Sequence, residues 1–280
     1  MKAFKLYLRD IKSGFFKNYR VVIIPLMFWT FCRELTEMMH HYKINAEVSF
    51  VEYLLYCFSG SDSAGSNEGI AFPVQWLSVM VLICFLTFDF MYRDLNPEGQ
   101  QVLIRSGSRN KWWLSKCVAT VSATVFCYAL AMLTVVCYCL LHDGDISFAC
   151  HKSTIEFITK FICINPDDIF PDLWQAVKCI ILLPIAVLTA LNMLEMVLSL
   201  LFKPFVAFCI LSMYIVASIY KTSPFAIGSY CMLTNSSLFR SEGFSIDFAL
   251  IECAAIILLS AVVGLLIFRR YNVLQRKEDE

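Results

Sequence analysis

Six stretches of this chain are apolar for about the 20 residues that a helix needs to cross a bilayer's hydrocarbon core. They lie near Val21–Met39, Pro73–Met91, Cys117–Leu141, Leu173–Leu201, Pro204–Tyr220 and Phe248–Phe268. Only 16% of the 280 residues are charged and 59% are hydrophobic. A soluble domain carries about 25% charged residues, so this chain lacks the polar surface that water demands. The expected class is an all-α integral membrane protein: six transmembrane helices in a single domain spanning 1–280. The first stretch is the weakest. Its uninterrupted run VVIIPLMFWTFC reaches only about 18 Å as a helix, so Arg33 and Glu34 must enter the far end of that span.

Orientation follows from the cations in the flanks. With the N-terminus inside, sixteen Lys and Arg fall on the inner side and seven on the outer side or span edges. The inner set includes Lys2, Arg9, Arg20, Arg105, Arg109, Lys116, Lys203, Arg269 and Arg270. That positive-inside bias puts both termini in the cytoplasm. It also makes the expected location a cell membrane, multi-pass, in a chain of bacterial look. The outer loops gather acids, as in HDGD (142–145) and NPDD (165–168).

Residues 1–20 contain Met1, Phe4, Leu8, Ile11 and Phe15 at spacings of three and four, with Lys2, Lys5, Arg9 and Lys12 between them. That spacing predicts an amphipathic helix lying along the inner leaflet. No apolar h-region of a cleavable leader interrupts it. Two outer segments, AEVSFVEYLLYCF (46–58) and STIEFITKFIC (153–163), also show helical apolar faces. Each is either a helix on the outer membrane surface or one packed against its own loop.

Of thirteen Cys, most lie within apolar runs, where a thiol serves as a small hydrophobe. Cys57, Cys150, Cys163 and Cys231 fall in outer loops, where a disulfide and free thiols are both open readings. Glu37, His40 and His41 share helical spacing without a further strong ligand in reach, so exposed side chains are expected rather than a metal site. HDGD reads as a solvated turn. No GxxxxGK[ST], GxSxG or HExxH occurs, so neither nucleotide binding, catalytic residues, a metal nor a cofactor is expected in this chain. No nucleic-acid partner is expected either.

Ionisable residues inside spans are costly and therefore informative. Asp89 lies near the inner end of the second span, and Glu252, one turn into the last, is placed to reach the outer interface. Glu195 lies deeper, with Asn192 three positions before it on the same helical face. That pair suits a polar contact between helices, the favoured reading, or the wall of a water-filled path.

The longest polar run, Tyr92–Lys116, reads YRDLNPEGQQVLIRSGSRNKWWLSK. A short helix across Gln100–Arg105 would end at Gly107 and present Val102, Leu103 and Arg105. Trp112 and Trp113 would sit at headgroup level. Such a knob fits a groove on a cytoplasmic partner; a basic loop bound to anionic lipid is the other reading.

Here the chain resembles the ABC-2 type permeases, the membrane subunits of ATP-binding-cassette exporters. The family's loop after the second span is matched by Glu98, Gly99, Leu103, Ser108, Arg109 and Lys116. Its exit cluster is matched by FRRYNVLQRK (268–277). A proline usual before Ser-Arg is replaced by Gly107. The resemblance implies a permease that supplies the pathway for a peptide or other amphipathic cargo. It implies as partners a second permease chain, identical or related, two copies of a separate cytoplasmic ABC ATPase, and membrane lipid. The coupling contact would fall on Glu98, Gly99, Val102, Leu103, Arg105, Ser108 and Arg109. The segment 223–239 would dip back into the outer leaflet. A stand-alone sensor, immunity factor or assembly subunit is the rival reading.

Overall fold

The computed structural model describes residues 7, 19–43, 48–60, 72–88, 108–142, 144–159, 173–220, 226–239 and 243–270. Among these, regular structure is helical throughout, joined only by two isolated bridges. A 3₁₀ turn at Tyr19–Val22 leads into α1 (Ile23–His41). Then follow α2 (Phe50–Phe58), α3 (Val74–Thr87), α4 (Arg109–Leu141) and α5 (Lys152–Thr159). The chain continues with α6 (Leu173–Leu201), α7 (Pro204–Tyr220) and α8 (Ile246–Arg270). Three of these, α4, α6 and α8, are long and apolar enough to cross a membrane; α3 and α7 are shorter apolar helices. At 33 residues, α4 is about 50 Å long, beyond the roughly 30 Å of a hydrocarbon core. It starts well before the expected Cys117, at Arg109.

The bundle is organised on α6, which is buried nearly all round from Leu183 to Leu200. Its neighbour α8 turns a seam of small residues inward, Ala249, Cys253, Ser260 and Gly264. Small side chains let two backbones approach closely. The opposite face of α8 exposes Ile251, Leu258, Leu259, Val262 and Leu266, which suits a lipid-facing surface.

One irregularity in α6 has a traceable cause. Residues Lys178–Leu182 form a π turn, followed by Pro184, which has no N–H to offer the carbonyl of residue 180. The buried hydroxyl of Tyr128 on α4 donates to that carbonyl of Ile180. A side chain thus replaces the backbone donor that proline removes.

The end of the bundle holding residues 49–60, 226–239 and 243–246 is capped by short elements. Ser49 and Glu52 form a reciprocal capping box at the start of α2, a pattern visible in the sequence as S-x-x-E. Every residue of α2 except Tyr56 is buried, so this helix is inserted among α1, α3 and α4 rather than lying on a surface. Phe58 at its far end packs on Tyr128, and the chain then turns at Gly60, φ +83°, against Met232. At the end of the HDGD segment the Asp145 carbonyl accepts from Phe50 N at 2.8 Å. Residues 226–236 form buried 3₁₀ turns. Their backbone is satisfied locally and by Tyr214, whose hydroxyl accepts from Ile227 N at 2.9 Å.

The other end is basic and has its own small core. Trp112 and Trp113 are buried, packing with Phe268, Met193, Met196 and Leu200, whereas the sequence suggests headgroup aromatics. Trp112 stacks on Phe268 at 4.7 Å, and Trp113 Nε1 donates to the Ala261 carbonyl at 2.8 Å. What admits the second indole is Gly264: a Cβ there would lie 1.9 Å from Trp113 Cζ2. Arg109 closes the contact by donating to the Arg269 carbonyl at 2.9 Å. Tyr7, from the N-terminal segment, meets Ser122 of α4 with hydroxyls 2.9 Å apart; of the expected amphipathic helix over 1–20, residues 1–6 and 8–18 lie outside the described residues, and Tyr19 and Arg20 belong to the 3₁₀ turn.

Two outcomes are expected. Gly264→Val should expel Trp113 and cost about 1–3 kcal/mol by overpacking. A lowered melting temperature in detergent with a red-shifted tryptophan emission would register it, and Trp113→Ala should relieve part of the cost. Tyr128→Phe leaves the Ile180 carbonyl without its hydroxyl donor and should cost about 1–3 kcal/mol. Pro184→Ala, which restores the backbone N–H, should shrink that cost in a double-mutant cycle.

Candidate functional site

The charged and polar residues singled out inside the fourth span, Asn192 and Glu195, sit about 14 Å and 9 Å along α6 from its Leu201 end. Both are buried, with 1% and 2% of their surface exposed. They share a face because they are three residues apart, and that face meets two neighbouring helices at once. From α4, Thr124 accepts a hydrogen bond from Asn192 Nδ2 at 2.8 Å. From α3, Thr87 Oγ1 lies 3.1 Å from Asn192 Oδ1 and 3.4 Å from Glu195 Oε2. Thr120, one turn before Thr124, donates to Met196 Sδ at 3.5 Å. The result is a buried polar seam at the junction of α3, α4 and α6.

The three threonines escape a reading of the sequence because Thr in an apolar helix usually bonds its own backbone. Thr124 and Thr87 do that as well, to Thr120 O and to Ile83 and Cys84 O. Thr124 thus serves its own helix as donor and a neighbour as acceptor, whereas the single proton of Thr87 is shared between its own backbone and the side chains of α6. Only the contact with Asn192 marks them as partners, and that needs the three-dimensional arrangement.

Chemically the seam offers a carboxylate, an amide, three hydroxyls and a thioether. Among the described residues no group of three or more His, Cys, Asp or Glu is placed to hold a metal. What the seam can do is fix helix register, or pass polar contacts from one helix to the next when they shift.

Further polar contacts line the capped end. Gln75 Nε2 reaches Glu34 at 3.3 Å and the Tyr56 hydroxyl at 2.9 Å. Thr36, Tyr53 and Tyr138 join hydroxyls at 2.9 and 3.2 Å. Glu52, fully buried, takes Ser49 N at 2.7 Å and lies 3.3 Å from His151 Nδ1, tying α2 to the segment before α5. Glu252, half-buried, accepts from the Tyr230 hydroxyl. Glu37 pairs with Arg33 at 2.6 Å.

Of the expected coupling residues, Ser108 and Arg109 are described, at the start of α4. Glu98, Gly99, Val102, Leu103 and Arg105 lie outside the described residues, as do Asp89 and Cys163. Arg109 faces the end of α8 through its bond to the Arg269 carbonyl. Cys57, Cys150 and Cys231 are free thiols. Burial, helped by the Glu52 carboxylate, pushes Cys150 up to about 12, which keeps it protonated and slow in disulfide exchange.

For the seam, Asn192→Leu and Thr124→Val should each lower stability, by about 0.6–1.7 kcal/mol for the shared hydrogen bond. Their double variant should lose less than the sum in detergent unfolding. Strict additivity would mean that the two side chains do not depend on each other.

No curated protein and no solved structure matches the chain. A family profile described as "Protein of unknown function (DUF2705)" matches residues 21–274. That range runs from the turn before α1 past the end of α8 and so takes in both ends of the bundle and the polar seam. The chain belongs to the DUF2705 family.

Proposed function

We propose that this chain is the membrane subunit of an ABC-2 type exporter, with six spans, both termini in the cytoplasm and ATP hydrolysis on a separate chain. The observation that carries the reading is the stretch Glu98–Lys116, whose motif resembles the family's coupling loop and whose last residues enter a stiff block. Arg109 is bonded to the last turn of α8, and Trp112 and Trp113 are clamped against Phe268 and Gly264. A push on the loop at 98–107 would therefore move α4 and α8 together. The absence of any nucleotide-binding motif in the sequence fits a division of labour between a pathway subunit and a motor.

In this reading two permease chains and two ATPase subunits form the working unit. ATP binding draws the ATPases together, and each carries its cytoplasmic knob with it. The polar seam of Thr87, Thr124, Asn192 and Glu195 lies where α3, α4 and α6 would slide during such a shift. Exchange of hydrogen bonds among hydroxyl and amide groups keeps the intermediate positions solvated by protein. A peptide or another amphipathic molecule is the proposed cargo, in a bacterial cell membrane. A conformational change of this kind requires the motor to bind the knob differently in its two states.

The test is affinity purification of the tagged chain from its native host in mild detergent, with mass spectrometry of what is retained. A stoichiometric soluble partner bearing GxxxxGK[ST] is expected, and Arg105→Glu should reduce its recovery or uncouple its ATPase activity. A chain that purifies alone would instead favour a stand-alone sensor, immunity factor or assembly subunit.

A further inference from the structure

A charged group within an apolar bundle calls for an account of what neutralises it. At the capped end several acids have a basic partner. Glu37 pairs with Arg33 at 2.6 Å, Asp247 with Lys178 at 2.7 Å, and Glu52 meets His151 Nδ1 at 3.3 Å. Glu34 is met differently. Half-buried on α1, it faces Gln75 in the first turn of α3 and Tyr56 near the end of α2. Both partners are neutral. Gln75 Nε2 lies 3.3 Å from each carboxylate oxygen and donates to the Tyr56 hydroxyl at 2.9 Å. Burial and the Glu34 carboxylate push the Tyr56 phenol up, so it stays protonated.

No Lys, Arg or His among the described residues is paired with Glu34, and the adjacent Arg33 is turned to Glu37. The stretches that adjoin these elements in the chain, 44–47 and 61–71, contain no Lys, Arg or His. The start of α3 supplies at most about half an elementary charge. An ionised carboxylate offers about four lone-pair positions, and one shared amide nitrogen with one phenol leaves part of that capacity open. The other end of the same amide, Gln75 Oε1, accepts no hydrogen bond from the described residues. A carboxylate and an amide carbonyl thus stand together as acceptors, with one negative charge to be met.

A metal ion is a poor match. Calcium takes about six to eight oxygens, and the described residues place no group of three or more His, Cys, Asp or Glu for a metal. An ammonium carries one charge and three donors, which a carboxylate and one or two neutral oxygens satisfy. We infer that Glu34, Gln75 and Tyr56 form a binding site for a primary ammonium group, its charge met by Glu34 and a further N–H taken by Gln75 Oε1. The ammonium belongs to a soluble amine or to the headgroup of an aminophospholipid. This site lies away from the proposed coupling loop, and it stands whether or not a motor subunit exists.

The experiment is a melting series of the purified full chain in neutral detergent at constant ionic strength. Butylammonium and phosphatidylethanolamine are each compared with the partner that lacks N–H donors, tetramethylammonium and phosphatidylcholine. At least one of the first pair should raise the melting temperature saturably, and neither of the second should. A response to butylammonium assigns the site to free amines; a response to phosphatidylethanolamine alone assigns it to the lipid headgroup. Glu34→Gln keeps the shape and removes the charge, and should raise the half-saturating concentration about tenfold. Gln75→Met removes the amide acceptor and should raise it about fivefold. Glu37→Gln, which removes an equal charge one turn along α1, should leave it unchanged. A purely structural role for Glu34 would lower the melting temperature without moving half-saturation, and that result would overturn the proposal. So would silence from both ammonium probes, an equal response to their methylated partners, or an equal response to sodium or calcium chloride.

Discussion

Backbone N–H and C=O groups within an apolar bundle have no water to turn to, so each departure from regular helix must be answered by protein. The structure meets that demand in several ways. Tyr128 reaches across from α4 to the carbonyl that Pro184 deprives of its helical donor. Tyr214 serves the first turn of the buried 226–236 segment, and the carbonyl of Asn235 takes Phe244 N at 3.2 Å. The Ser49–Glu52 box and the Asp145 carbonyl satisfy the first turn of α2. Without these contacts neither the π turn nor the short inserted helix would be tolerable where they are, and α6 would lose its place as the central helix.

The two ends of the bundle answer packing differently. At the capped end, short pieces of chain fill the space between long helices, and the contacts are aromatic and hydroxylic, with Tyr53, Tyr138 and Trp29 packed edge to face. At the basic end no inserted segment is described, and large rings do the filling. Their fit depends on a residue with no side chain at all. Between these regions runs the seam of Thr87, Thr124, Asn192 and Glu195, where polar contacts link α3, α4 and α6.

Much of this was legible in the sequence. The apolar runs located α6, α7 and α8 to within a few residues, because about 20 apolar residues leave few alternatives to a buried or membrane-crossing helix. Asn192 and Glu195 stood out because polar groups are conspicuous in an apolar helix. Threonine does not stand out, so their partners were invisible. The depth of α2 was also hidden: its face of Phe50, Val51, Leu54, Leu55 and Phe58 is amphipathic enough for a surface, and only tertiary packing reveals that Glu52, Tyr53 and Cys57 are buried too. Trp112 and Trp113 misled for a related reason. Paired indoles beside a basic segment fit an interface equally well, and the seating of Trp113 hinges on Gly264, some 150 positions away.

The clasp between Trp113 and Gly264 also fixes a geography. Two residues distant in the chain, Arg109 at the start of α4 and Arg269 near the end of α8, thereby become neighbours. A reporter group carried on the last turn of α8 would sit beside the first turn of α4 and not across the molecule from it. That last turn is a vantage point from which the start of α4 can be watched without altering it.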